Sequence, residues 1–198
     1  MIIGLTGGIA SGKTTCSDFL QTKGIKIADA DVEAKAILAP NSKALAQVVK
    51  NFGYEVLQED GTLNRAVLRE KIFAQESARR RLNEITHPLI RKNLIARLHE
   101  IQQTPYALLS APLLFENNLQ KFCDAVVVVD LPVEQQLERG ARRDGQNKSA
   151  ISQIIKKQIT REKRLILANY IIDNGQSLDN TQQQLEILHQ HLIYLSSI

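Results

Sequence analysis

Residues 7–14 read Gly-Gly-Ile-Ala-Ser-Gly-Lys-Thr, a full match to G-x-x-x-x-G-K-[ST]. A short apolar run, IIGLT (2–6), precedes it, and TTCSDFLQTKG (14–24) follows with helical spacing up to Gly24. Strand, glycine turn and helix in that order demand a sheet strand that hands its carboxyl end to a helix N-terminus. Glycine lets successive backbone N–H groups curl inward as an anion nest, and the helix end adds partial positive charge. Lys13 can reach β- and γ-phosphates, and the Thr14 hydroxyl can ligate Mg²⁺. Thr15 is the next contact, toward an α-phosphate. With Gly8, Ala10, Ser11 and Gly12 these residues make a candidate nucleotide cradle. The competing reading, a Gly-rich turn with no ligand, does not account for the lysine and hydroxyl at fixed offsets.

The remaining chain alternates strand and helix, with one exception. IKIA (25–28), YALLSA (106–111), AVVVV (125–129) and NYIID (169–173) read as further strands, apolar nearly throughout, as strands covered on both faces are. Helices are expected at about 133–143, after the polar stretch DGQNKS, and at about 178–195. Such alternation implies βαβ units and a parallel sheet, hence an α/β fold. Residues 32–104 depart from it, because only helical patterns occur there: VEAKAILA, SKALAQVVKNF, RAVLREKIF and a long stretch at 76–103. That stretch is expected to break at His87-Pro88, with Pro88 opening a new helix. The segment reads as a helical insertion between the second and third strands.

Charge is unevenly spread. The chain carries 25 Lys+Arg and 21 Asp+Glu, a formal net +4, yet residues 139–164 alone hold nine Lys/Arg against two Asp/Glu. A segment of +7 on a body of −3 suits a local anion clamp better than a nucleic-acid footprint spread along a face. Arg139 and Arg143 are four apart and share a helix face. A solvated basic face is the competing reading, and the phosphate cradle in the same chain favours the clamp for Arg139 and Arg161. Gly140, inside that helix, is expected to loosen it.

Asp29-Ala30-Asp31 closes the second strand. The carboxyl ends of parallel strands are where ligands bind, so a carboxylate there can accept a hydroxyl proton or hold Mg²⁺. Asp31 is equally suited to cap the helix that follows, and the two roles are compatible. Asn147-Lys148-Ser149-Ala150 lacks the carboxylate of a guanine reader. No apolar run approaches 18 residues, no signal segment is visible, and Cys16 and Cys123 form no paired framework. The expectation is a cytoplasmic protein with neither membrane nor nucleic-acid partner.

In their order and spacing, LTGGIASGKT (5–14), IADAD (27–31), DGTLNRAVLREKIF (60–73), THPLI (86–90), APLLFE (111–116), VVVVDLP (126–132), QLERGARRD (136–144), Gln158 with TRE (160–162) and IIDN (171–174) resemble the dephospho-coenzyme A kinase family over nearly the whole chain. The resemblance implies a three-layer P-loop NTPase core with a five-stranded parallel sheet (1–31 and 105–198), a helical lid at about 139–164 and a helical acceptor domain at 32–104. It implies transfer of the γ-phosphoryl of Mg·ATP to the ribose 3′-hydroxyl of dephospho-CoA, the last step of CoA synthesis; a monomer is the simplest expectation. Asp31 is then the base and a metal contact beside Thr14. Lys13 and Arg139 act on the phosphates, and Arg161 lies beside ATP. Arg65, His87, Leu113, Leu114 and Glu116 border the acceptor. His87 reads as well as a helix-start residue, Glu116 as a first-turn carboxylate, and Arg65 as a solvated arginine. Where family members often carry a carboxylate before Pro-Leu-Leu, this chain has Ser110-Ala111, so a metal role for the third strand is not expected. Rival readings are a kinase for a nucleoside or nucleoside monophosphate, and a nucleotide-dependent switch.

Overall fold

The computed structural model describes residues 1–101 and 104–198. Strands β1 (Ile2–Gly7), β2 (Lys26–Asp29), β3 (Ala107–Ser110), β4 (Ala125–Asp130) and β5 (Tyr170–Asp173) pair in parallel in the order β2-β3-β1-β4-β5. The strands are buried because both faces are covered. Val126, Val127, Val128 and Val129 are each at most 5% exposed. On one face α1 (Lys13–Thr22) and α9 (Leu178–Ser196) pack Cys16, Leu20, Leu185, Leu188 and Leu192 against Ile3, Leu5, Leu108, Val127 and Val129. A Cβ at Gly4 would stand 2.9 Å from both Cys123 Sγ and Leu114 Cδ1, so side chains close directly on the β1 backbone there.

Register decides what gathers at the carboxyl edge. Ser110 pairs with Leu5 on one side and Asp29 on the other, and Asp130 pairs with Asp173. The loop after β1 therefore opens among the ends of β2, β3, β4 and β5, beside the central strand, where open parallel sheets bind ligands.

Two compact units divide the chain: Met1–Asp29 with Arg97–Ile198, and Ala30–Ala96. The second unit contains α2 (Ala30–Ala36), α3 (Lys43–Phe52), a short 3-10 turn (Tyr54–Val56), α4 (Arg65–Ala74) and most of α5 (Glu76–Ile101). Its own core joins Ile37, Leu45, Val48, Phe52, Val56 and Leu68. Ser42 caps α3 by accepting from the Leu45 N–H at 3.1 Å, and Asn64 caps α4 by accepting from the Val67 N–H at 3.2 Å. The helical insertion thus begins at residue 30 and is compact to 96, against the expected 32–104.

Three local expectations are corrected. Helix α5 runs unbroken through His87 and Pro88, without a new start. An interior proline costs about 3 kcal/mol. Here Leu82, Ile85, Leu89 and Ile90 on both sides of it pack on the unit's core and hold one helical register. The expected end of that helix, 102–103, lies outside the described residues. Asp31 sits in the first turn of α2, which starts at Ala30, and so is not its cap. Gly140 lies in α6 (Val133–Asp144) and is buried where α7 (Lys148–Ile155) crosses. A Cβ there would meet Ile151 at 3.0–3.3 Å, so this glycine serves close helix packing and does not loosen the segment. No helix among the described residues is long and apolar enough to cross a membrane.

Candidate active site

The loop between β1 and α1 is a turn closed by Ser11 N–H donating to Gly8 C=O at 3.1 Å. Its third residue, Ala10, has φ +58°, a left-handed conformation that costs a non-glycine residue about 1–2 kcal/mol. Such strain persists only where surroundings impose it. They do so from three sides. Gln136, 2% exposed and donating to Leu131 C=O, fills the space a side chain at Gly8 would need. Gln158 Oε1 accepts from the Ile9 N–H at 3.0 Å, and Asn174 Nδ2 donates to Ser11 C=O at 2.7 Å. Asn174 also abuts Gly12, whose φ of +94° and missing Cβ bring the chain into α1.

Helix α1 follows Gly12, its N-cap position, with no side-chain cap and no acidic residue in its first turn. Its leading N–H groups and dipole are thereby kept for an anion. Thr14 and Thr15 stand exposed on that turn. Lys13 Nζ donates to Ser110 Oγ at 2.7 Å and lies 3.7 Å from Asp29 Oδ2, while Ser110 Oγ donates to the same Asp29 oxygen at 2.7 Å. Lysine, serine and aspartate form a closed triangle at the mouth of the cradle. Ser110, where the sequence reading found only a missing carboxylate, is the group that joins the other two.

Arg161 opens α8 (Arg161–Ile166) and donates from Nε and Nη2 to the two Asp130 oxygens at 2.8 and 2.6 Å. The Asp130 carboxylate holds the Arg161 guanidinium above its ordinary pKa. Glu116 Oε1 accepts from the Ile159 N–H at 2.9 Å, and Arg164, 5% exposed, donates to Ile159 C=O at 3.0 Å. Burial draws the Arg164 pKa down, against the pull of Glu116 and Asp130. Arg139 Nη2 donates to Gln135 Oε1 at 3.3 Å, and Gln135 Nε2 to Gly175 C=O at 3.4 Å, tying α6 to the turn after β5.

The acceptor candidates divide. Leu113 is 38% exposed, but Leu114 is 0% exposed and packs under β1 beside Gly4, so its side chain belongs to the core and offers no ligand surface. Arg65 is the first residue of α4, and His87 is half-buried in α5. Burial, then the nearby Arg91 charge, lowers the His87 pKa. Asp31, Arg65 and His87 all belong to the second unit.

Their residue types alone assign no role to Ser110, Gln136, Gln158 or Asn174. Ser110, Asp130 and Asn174 stand at or just past the carboxyl ends of their strands, a position that marks ligand-facing residues. Among the described residues no three or more His, Cys, Asp or Glu side chains gather as a metal cage. Mg²⁺ needs none, since it is held by one or two carboxylates with phosphate oxygens and water. An exposed threonine on the cradle helix and the Asp29 carboxylate at the end of β2 are donors of the kind that set uses.

A family model described as dephospho-CoA kinase matches residues 1–180. The chain belongs to the dephospho-CoA kinase family. It is 44% identical over 197 residues to the dephospho-CoA kinase of Dichelobacter nodosus, covering 100% of each chain. Among solved structures, it is similar to TT1252 from Thermus thermophilus, with TM-score 0.82, 26% identity and 97% of each chain covered. It is also similar to the dephospho-CoA kinase from Campylobacter jejuni, with TM-score 0.75, 27% identity, and coverage of 98% of this chain and 97% of that one. The fold is that of the P-loop kinases, and the reaction is the ATP-dependent phosphorylation of dephospho-CoA, the final step of CoA biosynthesis.

Proposed function

We propose that the cradle of residues 7–14 holds the triphosphate of ATP and that the chain, acting as a monomer, transfers the γ-phosphoryl directly to the ribose 3′-hydroxyl of dephospho-CoA. The observation that carries this reading is the uncapped start of α1 next to the Lys13–Ser110–Asp29 triangle: an anion site with its cation already in place. Backbone N–H groups of the cradle, with Thr15, bind phosphate oxygens. Lys13 exchanges Ser110 and Asp29 for the β- and γ-phosphates and draws the charge that grows as the bond to ADP breaks. Asp31 orients the acceptor hydroxyl and takes its proton as the new O–P bond forms. Arg139 spreads charge over the transferring group, and Arg161, fixed by Asp130, stands beside ATP.

Thr14 and Asp31 are the residues proposed to hold Mg²⁺, which when bound neutralises charge on the β- and γ-oxygens. The helical unit is the acceptor domain, with Arg65 and His87 as its acceptor contacts. Leu113 and Glu116 are proposed as further acceptor contacts.

The test is a coupled ADP-release assay offering dephospho-CoA, nucleosides and nucleoside monophosphates in turn. Turnover on dephospho-CoA alone is expected, and Asp31→Asn should lower kcat about 10²–10⁴-fold with both substrates still bound. Transfer only to a monophosphate would sink the acceptor assignment, and near-normal kcat in Asp31→Asn the base.

A further inference from the structure

The strained turn at the tip of the cradle is held from outside itself. Gln158 Oε1 grips the N–H of Ile9, just before Ala10, and Asn174 Nδ2 grips the C=O of Ser11, just after it. The two grips differ in kind. Asn174 is 7% exposed, and its Oδ1 accepts from Thr181 Oγ1 at 2.8 Å, so it is a fixture of the core. Gln158 is half-buried within the basic segment, one residue before the Ile159 amide bound by Glu116 and three before Arg161.

We propose that Gln158 is a positioning residue for phosphoryl transfer: it holds Ala10 in the left-handed conformation that curls the cradle, and so couples the later part of the basic segment to the affinity for ATP. The inference rests on the reading that residues 7–14 bind the ATP phosphates. Without the grip, Ala10 drifts toward the right-handed and extended conformations that a side chain favours. Only the fraction of molecules still curled then binds, and apparent affinity falls by that fraction. Because Ile159 and Arg161 are pinned beside Gln158, the residues from 158 onward brace the cradle, and any movement of the basic segment takes place before them.

The experiment measures ATP dissociation constants calorimetrically without acceptor, together with amide exchange at Ile9, in the full chain. Gln158→Ala and Gln158→Met, the second keeping the bulk but not the acceptor, should each weaken ATP about threefold to tenfold and expose the Ile9 amide to exchange. KM for dephospho-CoA should stay unchanged. Glycine populates the left-handed region freely, so in an Ala10→Gly chain the same Gln158 changes should cost less than twofold. A merely structural role for Gln158 would give equal losses in both backgrounds. Equal losses, or wild-type affinity in Gln158→Met, overturn the inference. A wild-type chain that bound no ATP would overturn the nucleotide reading and this inference with it, whereas binding that Gln158 does not influence overturns this inference alone.

Discussion

Removing Arg161 should destabilise the chain by leaving Asp130 charged and unpaired. The Asp130 side chain is 11% exposed, and both its oxygens are taken by Arg161, at 2.8 and 2.6 Å. Breaking a fully buried pair from one side costs about 3–5 kcal/mol. The Arg161 side chain is 34% exposed, and the buried Arg164 lies close enough to feel the same carboxylate, so solvent and a second cation relieve part of that. Arg161→Ala is therefore expected to lose about 2–3 kcal/mol. For 198 residues melting in one transition, an unfolding entropy near 0.4 kcal/mol/K converts this to a drop of about 5–7 °C in Tm. Asp130→Asn alone should cost less, about 1 kcal/mol, because an amide oxygen still accepts and the exposed guanidinium can hydrate. The double variant discriminates. If the loss in Arg161→Ala comes from a stranded charge, neutralising Asp130 in that background restores about 1 kcal/mol. Calorimetric melts of the four proteins check it. A double variant as unstable as the two single losses added together would refute the reasoning, since the pair would then act only as two independent packing groups.

Two further outcomes follow from the packing. Gly140→Ala gains about 1 kcal/mol of helix propensity but drives a methyl to 3.0 Å from the fully buried Ile151, an overpacking cost of about 1–3 kcal/mol. Urea unfolding should therefore show a net loss that Ile151→Val partly relieves, and a stabilised Gly140→Ala would refute the close-packing role. His189, 5% exposed and 2.8 Å from the Tyr106 hydroxyl, has its pKa lowered chiefly by burial. The unfolded chain then takes up a proton near pH 6.5 that the folded chain refuses, so this contribution is whole above about pH 6.5 and is lost as pH falls below it. His189→Gln should flatten the fall in unfolding free energy between about pH 7.5 and 5.5 relative to the unmutated chain, and an unchanged slope would refute it.

The sheet was legible because its evidence is local. Apolar runs of four to six residues mark doubly covered strands, and glycines and a lysine at fixed offsets mark the loop after the first. The helical patterns beginning at Ser42 and Arg65 lie within one residue of the starts of α3 and α4, although the caps Ser42 and Asn64 are seen only in the structure. Proline misleads because its penalty is local while its compensation is not: Leu82 and Leu89 pack α5 on a core built by α3 and α4, and the helix continues through Pro88. Gly140 misled for the same reason. Propensity treats it as a weak helical residue, and only Ile151, from the next helix, explains the missing Cβ. In the site, residues whose chemistry sits in their own side chains, such as Lys13 and Thr14, were found. Residues that act by holding other groups, such as Ser110, Gln158 and Asn174, were not, because their partners lie about 100 to 160 positions away.

The basic segment makes the same point in charge. Composition counts +7 between 139 and 164 but cannot say which cations are already spent. Lys148 pairs with Glu138, Arg143 with Asp144, and Arg161 with Asp130, while Arg164 is buried on a backbone carbonyl. The pairs differ in what a triphosphate would have to displace. The Glu138 and Arg143 side chains are more than half exposed, and such ion pairs exchange at little cost. Arg161 is held by two short bonds to a buried carboxylate, and giving it up would strand that charge. On the proposed nucleotide reading, the exposed pairs before residue 158 yield to a triphosphate more readily than the Arg161–Asp130 pair. The segment, uniform in charge as a sequence, divides into exposed ion pairs on α6 and α7 and a fixed part made of Gln158, Ile159, Arg161 and Arg164. The fixed part is the one bonded to the cradle.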